Sequence, residues 1–333
     1  MRLVVATSEP LGAYHLTPLP VALYSADHHF IHLVPYTEPL QGSHGFEVTS
    51  DLEEALSADL LVITGGDLSA WTKSLALLAN SQEVPVFYSQ LALGTVSSRH
   101  SDVLFSGATF MSELGMERSP AFLKNCVNTV TGNPQLDKGS RSVPAHKSVL
   151  LLSTSDSLDR DPEQHLLKLG RVLLDAGWTV TVRPHPRERA DTWLEFKTDP
   201  NSSFVTQAVS HAVVVGYPGS LLPLSGALKR PTLSLAPTEE FREILDTEWL
   251  KSVSAQVSSS SEAMDALLGG LAPPSELDCS HCCGPIGSSA SRVVTAWIEC
   301  ASNYAQSKYD SDPDLRRMLR NAAVLPSTIR SPI

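Results

Sequence analysis

The sequence predicts an α/β protein of two doubly wound parallel sheets, two such domains facing each other across a cleft. Three observations carry this reading. Short continuous apolar runs recur along the chain, segments of helical periodicity separate them, and 333 residues exceed what one hydrophobic core usually organises. Runs that are apolar at every residue belong to strands buried on both faces. The helices between consecutive parallel strands supply the cover.

The elements follow in chain order. Residues 3–7 and 60–64 are buried runs, the second followed by Gly65-Gly66-Asp67, and residues 84–88 form a third. Leu52-Glu53-Glu54-Ala55-Leu56 and residues 71–78 have helical spacing between them. These elements make a first domain over residues 1–135. Thr131-Gly132-Asn133-Pro134 and the charged, turn-rich stretch 138–147 read as a linker. The alternation restarts in a second domain over residues 146–285, with a strand at 148–152. An amphipathic helix over 161–176 carries the apolar stripe Leu166, Leu167, Leu169, Val172, Leu173 and Leu174, and Gly177 stops it. Strands at 178–182, 212–215 and 231–235 follow, with a helix from Leu221 that tolerates Pro223 in its first turn. Ser259-Ser260-Ser261-Glu262 is a capping box for a helix over 263–268, which Gly269-Gly270 ends. Residues 271–287, rich in Pro, Gly and Cys, read as a loop. Helices over 291–306 and within 313–325 form a C-terminal part, 286–333, expected to pack back on the N-terminal domain. No internal repeat of roughly 20–50 residues is present.

Composition excludes several classes. Hydrophobic residues make up 42% and charged residues 18%, too apolar for disorder. The net charge of −11 argues against nucleic acid or an anionic membrane as partner, since either demands a basic face. It leaves room for one small anionic ligand in a local basic pocket. No apolar run approaches the ~20 residues of a membrane span, so no integral membrane segment is expected. The first apolar run is too short for a signal peptide and ends at Glu9-Pro10. Five cysteines (Cys126, Cys279, Cys282, Cys283 and Cys300) are odd in number and mostly clustered. They argue against a disulfide framework and for a reduced, cytoplasmic setting. Cys279-Ser280-His281-Cys282-Cys283 is half of a zinc site with no second pair, so no metal is expected. His28-His29 lies in an apolar stretch without a partner motif and reads as structural.

Candidate chemistry sits at strand ends, because open parallel sheets bind ligands beyond the carboxyl ends of their strands. Arg183-Pro184-His185-Pro186-Arg187-Glu188 presents a histidine on a stiff extended loop, since each proline fixes its own φ and restricts its predecessor. Arg183, Arg187 and Arg189 surround it, the most basic cluster in an acidic chain, and guanidinium groups suit phosphate oxygens. Gly216-Tyr217-Pro218-Gly219-Ser220 lies between a strand and a helix. There glycine lets a ligand approach the backbone, and Ser220 either binds a phosphate or caps the helix. Ser153 and Thr154, with Ser155-Asp156, offer hydroxyls to a phosphate or form a turn. In the first domain Glu9, Gly12, Tyr14 and His15 follow the first strand, and Gly65, Gly66 and Asp67 follow the strand at 60–64. Glu9, His15 or Asp67 is placed to deprotonate an acceptor hydroxyl, or to serve as an ordinary turn residue. Neither G-x-G-x-x-G nor a Walker loop occurs, which weakens a dehydrogenase reading.

The order of Thr131-Gly132-Asn133-Pro134 with Asp137, then the His185 segment, then 210–220, then Leu228-Lys229-Arg230-Pro231-Thr232 resembles GT-B transferases. It is similar to the CDP-glycerol glycerophosphotransferases, the bacterial sialyltransferases with an HP motif and the capsule-polymer transferases. The resemblance covers residues 125–236 and implies two Rossmann-like domains. It further implies that His185 and Ser220 contact the donor's phosphate, with Gly219 at the close approach. Two departures stand out: Gly219-Ser220 replaces the serine pair common in those families, and Tyr88-Ser89-Gln90-Leu91 stands where CDP-glycerol enzymes carry a His-Gly motif.

The expected function is a glycosyltransferase-like transferase. It moves a sugar or polyol phosphate from a CDP-, CMP- or UDP-linked donor to the hydroxyl of a glycan or polyol acceptor, in cell-surface polysaccharide or polymer synthesis. His185 stabilises charge on the donor phosphate or acts as general acid. Arg183 and Arg187 supply positive potential, so the scheme calls for no cofactor and no metal. The alternatives are a sugar-nucleotide epimerase of the UDP-N-acetylglucosamine 2-epimerase type and a non-catalytic binding protein that kept the fold.

Overall fold

The computed structural model describes residues 1–7, 16–35, 45–91, 96–138, 144–154, 157–185, 188, 190–199, 202–219, 221–245 and 248–311. Among them the strands form two sheets. The first contains β1 (Arg2–Ala6), β2 (His29–Leu33), β3 (Glu47–Thr49), β4 (Leu60–Thr64), β5 (Val86–Ser89), β6 (Gly107–Phe110) and β7 (Val127–Val130). Their order is β3-β2-β1-β4-β5-β6-β7, and every pairing is parallel. The second contains β8 (Ala145–Leu152), β9 (Thr179–Arg183), β10 (Lys197–Thr198), β11 (His211–Gly216), β12 (Thr232–Leu235) and β13 (Ala255–Val257). Its order is β10-β9-β8-β11-β12-β13, again all parallel. Each sheet grows outward from its first strand, returns past it and grows the other way. The reversal falls between β1 and β4 in one sheet and between β8 and β11 in the other. In open parallel sheets such a reversal is where ligands bind, beyond the carboxyl ends of the strands.

Alternate residues of a strand face opposite sides, so the continuous apolar runs fill two layers each. On one side of the first sheet Val4, Ala6, Leu61 and Ile63 pack with Leu75, Ala76 and Ala79 of the Ala70–Ser81 helix. On the other side Leu3, Val5, Leu60, Val62 and Phe87 pack with Val293, Val294, Trp297 and Ala301 of the Ser289–Ser311 helix. That last helix, although it follows the second sheet in sequence, covers the first. Asp137 fixes its start, its carboxylate accepting from the backbone N–H groups of Ser289 (3.0 Å) and Ala290 (2.7 Å). Arg292 donates to the Thr131 carbonyl at 2.8 Å. Gly132 and Gly284 adopt φ of +84° and +71°, and a Cβ on them would run into the carbonyls of Pro285 and Met111. The turn formers at 131–137 thus build the place where two connections between the sheets cross.

Several expectations are corrected. The stretch 271–287 is not all loop: it holds the Glu276–Cys283 helix, capped by Ser275, whose hydroxyl accepts from the Asp278 N–H. Cys279, Cys282 and Cys283 share its buried face, because a thiol at i, i+3 and i+4 behaves as a small hydrophobe. The helix expected over 161–176 begins at His165, since Gln164 has φ of +56° and interrupts the path. Val172 and Leu174 are exposed rather than part of its buried stripe. β8 starts at Ala145, inside the expected linker. β2, β6 and β7 escaped notice because His29, His32, Thr109 and Asn128 interrupt their apolar character. The helix expected within 313–325 lies outside the described residues.

Candidate active site

The second sheet reverses between β8 and β11, and the chain delivers three segments to that edge. Ser153 and Thr154 follow β8, Arg183–His185 close the neighbouring β9, and Tyr217–Gly219 follow β11. The Ser153 hydroxyl joins the first two: it accepts from the His185 backbone N–H at 2.8 Å and donates to the Glu188 carboxylate. Trp193 Nε1 also donates to Glu188, at 2.8 Å, and the Glu188 N–H closes a turn onto the His185 carbonyl at 2.9 Å. The loop bearing His185 is therefore braced by a half-buried polar network, and His185 itself is half-buried. Ser153, expected as a phosphate ligand, acts as a strut of this loop. Thr154 beside it is half-buried. Arg183 Nη1 donates to the Ser202 carbonyl at 3.0 Å and to Gln207 Oε1 at 2.7 Å, which orients the guanidinium at the β9 end. Gly216 and Gly219 differ. A Cβ on Gly216 would sit 2.7 Å from Leu152 Cβ and 2.9 Å from its carbonyl, so strand packing requires that glycine. Among the described residues a Cβ on Gly219 would meet only the Tyr217 carbonyl, at an ordinary 3.7 Å.

In the first sheet Gly65, Gly66 and Asp67 follow β4, at the reversal against β1. Tyr88, buried beneath them, donates to the carbonyls of Gly65 and Gly66 at 3.0 Å each. Asp67 Oδ1 accepts from the N–H groups of Leu68 (3.0 Å) and Ser97 (2.8 Å) and lies 3.0 Å from His100 Nε2. Its Oδ2 pairs with Arg99 at 2.8 Å. Burial pushes the Asp67 carboxyl up, but the Ser97 and Leu68 N–H groups with the His100 and Arg99 charges outweigh it. The group is held below the ordinary carboxylate range. Asp67 is thus an ionised anchor of the segment after β5.

Glu9, His15, Arg187 and Ser220, with Gly12, Tyr14 and Arg189, lie outside the described residues. The structure brings His185, Arg183, Ser153, Thr154 and Gly219 to one sheet edge and places Asp67 at the corresponding edge of the other sheet. Sequence reasoning missed three arrangements: Glu188 as the brace of the His185 loop, Arg99 with His100 as partners of Asp67, and the buried Asp161 carboxylate accepting from the Tyr217 hydroxyl at 2.7 Å. Only the Asp161–His165 spacing, one helical turn, left a signal. Among the described residues no group of three or more His, Cys, Asp or Glu side chains is placed to hold a metal ion, and no helix is long and apolar enough to cross a membrane.

No protein-family model and no curated protein matches the chain in sequence. Solved structures match its fold. MnaA from S. aureus, solved with UDP, is similar with a TM-score of 0.62 at 14% identity, over 91% of this chain and 97% of that one. The UDP-GlcNAc 2-epimerase from Methanocaldococcus jannaschii is similar with a TM-score of 0.58 at 14% identity, over 90% and 100%. The wall teichoic acid polymerase TagF, solved with CDPG, is similar with a TM-score of 0.60 at 11% identity, over 90% and 89%. At these identities the likeness is one of fold, and that fold is the two-domain GT-B architecture.

Proposed function

We propose that the chain is a GT-B-type enzyme that binds a nucleotide-activated donor at the β8/β11 edge. It would transfer a sugar or polyol phosphate to an acceptor hydroxyl of a glycan or polyol, in cell-surface polymer synthesis. The observation that carries the reading is the convergence of Ser153, the His185 loop and Tyr217–Gly219 at the reversal of the second sheet. Proteins of like fold are solved with UDP, UDP-GlcNAc and CDPG, which supports a nucleotide-linked ligand.

In this mechanism the acceptor oxygen forms the new bond as the bond to the nucleotide phosphate breaks, and negative charge grows on the departing phosphate. His185 meets that charge or donates a proton to the leaving oxygen. Arg183 and Arg187 raise the local positive potential, and Thr154, Gly219 and Ser220 line the phosphates while Ser153 holds the His185 loop in place. Glu9, His15 and Asp67 would belong to the acceptor side, where Glu9 or His15 takes the proton of the acceptor hydroxyl as the new bond forms. Asp67, held ionised, suits orienting a hydroxyl better than accepting its proton.

A second reading is epimerisation, favoured by the complete coverage of the M. jannaschii epimerase chain. Moving a proton at a sugar carbon needs a carboxylate near it, and Glu188 stands at the donor edge. Incubation with UDP-GlcNAc alone separates the two: epimerisation needs no acceptor and transfer does. The main reading expects the sugar nucleotide to stay unchanged until an acceptor is added, and His185→Ala to abolish turnover while the fold persists. Turnover undiminished in that variant would remove the mechanism. Binding without either reaction would leave a non-catalytic binding protein.

A further inference from the structure

One buried group outside those segments ties together two connections of the second sheet. Asp161 lies in the connection after β8 and is 1% exposed. Its Oδ1 contacts His165 Nδ1 at 2.8 Å, and its Oδ2 accepts from the His165 backbone N–H at 2.6 Å and from the Tyr217 hydroxyl at 2.7 Å. The first two contacts start the His165–Asp175 helix, whose own N-cap residue, Gln164, makes no side-chain cap. The third serves no helix: it crosses from the β8 connection to the segment after β11. The Tyr217 ring stacks on Phe241 of the Glu239–Leu245 helix, with centroids 4.6 Å apart and planes at 7°. Arg160 lies 4.8 Å from the centroid of the same Phe241 ring. Burial, then the hydrogen bond and charge of Asp161, drive the Tyr217 phenol above its ordinary range, so it stays a donor to that carboxylate.

Among the described residues, the two main-chain anchors of the same segment are long. The Tyr217 N–H reaches the Leu152 carbonyl at 3.4 Å, and the Leu222 N–H reaches the Gly219 carbonyl at 3.3 Å. The Tyr217 side chain therefore provides the firmer hold on the backbone leading into Gly219. We infer that Asp161, through the Tyr217 hydroxyl, is a positioning residue that sets the Tyr217–Gly219 backbone against the phosphates of the ligand. The inference rests on the proposed donor site. A hydrogen bond to a buried carboxylate is strong enough to hold such a loop, and leaving that carboxylate short of a donor is costly.

The test is calorimetric titration of the full chain with UDP and CDP and with uridine and cytidine. Tyr217→Phe keeps the ring and its stack on Phe241 and removes only the hydroxyl. The expected result is a diphosphate dissociation constant raised about tenfold, as for loss of one charge-assisted hydrogen bond. Nucleoside binding should stay close to wild type, a split that a purely structural role would not produce, while the melting temperature falls because the buried Asp161 carboxylate loses a donor. Asp161→Ala, which leaves no acceptor for the Tyr217 hydroxyl, should weaken diphosphate binding too, and adding Tyr217→Phe to it should cost nothing more, because both changes break one contact. Equal diphosphate affinity in Tyr217→Phe and wild type overturns the inference, as does a parallel loss of nucleoside and diphosphate. Wild type that binds no diphosphate removes the donor site itself, a different outcome from either.

Discussion

Gly216 and Gly219, three residues apart, separate what the fold needs from what a ligand needs. Gly216→Ala forces a Cβ against the Leu152 side chain and carbonyl and should destabilise the protein by about 1–3 kcal/mol, read as a lowered denaturation midpoint. Among the described residues Gly219→Ala meets only ordinary contact. Its midpoint should match wild type while nucleotide affinity falls, and a midpoint drop like that of Gly216→Ala would show that Gly219 too is structural. His32 offers a second test at this scale. Its Nε2 lies 2.7 Å from the Thr7 hydroxyl, and burial pushes its pKa down to about 4. Folded, it stays neutral, whereas the unfolded chain takes up a proton near pH 6.5. Between those values the unfolded state binds more protons, so stability falls as pH falls. Burial lowers the His211 pKa in the same sense. Urea unfolding should lose about 2 kcal/mol between pH 7 and pH 5 through His32, and His32→Gln should flatten that slope. The His185 loop was legible as a motif because prolines bracket the histidine. Its brace was not, since Ser153, Glu188 and Trp193 meet only through the parallel pairing of β8 with β9.

Among the elements, the runs buried on both faces were the readable ones: residues 3–6, 60–63, 149–152 and 212–215, within β1, β4, β8 and β11, are apolar and stand out from their flanks. β7 pairs only with β6 and exposes alternate residues, so it carries no apolar run. The Glu276–Cys283 helix was hidden for another reason, because its buried face is made of cysteine. Burial raises the pKa of Cys279, Cys282 and Cys283, so in the native protein these thiols should react slowly with an aromatic disulfide reagent and react fully on unfolding. Rapid native-state modification of all three would contradict the burial of that face. The segment 131–137 was read as a linker, and its turn chemistry was real, but its part in starting a helix 152 residues later depends on the folded chain. Asp137→Ala should lower stability by about 1 kcal/mol, the usual worth of a helix cap, and Asp137→Asn by less. An unchanged midpoint in Asp137→Ala would show that the crossing is held by packing alone.

At the scale of the whole molecule, one topological pattern is used twice, and both reversals sit where the sequence carries its unusual residues. The doubly wound class followed from apolar periodicity alone. The strand order of each sheet, and the return of the Ser289–Ser311 helix to the first one, belong to long-range packing. A net charge of −11 is compatible with an anionic ligand because the sequence places Arg183, Arg187 and Arg189 within four residues of His185 along the chain. The central claim is that this edge binds a nucleotide diphosphate. Calorimetric titration of the full chain with UDP and CDP, for wild type and His185→Ala, tests it most directly. The account predicts one-to-one binding of at least one of them by wild type, a loss of about tenfold or more in His185→Ala, and equal melting temperatures. Absence of binding to wild type, or undiminished affinity in His185→Ala, would contradict it.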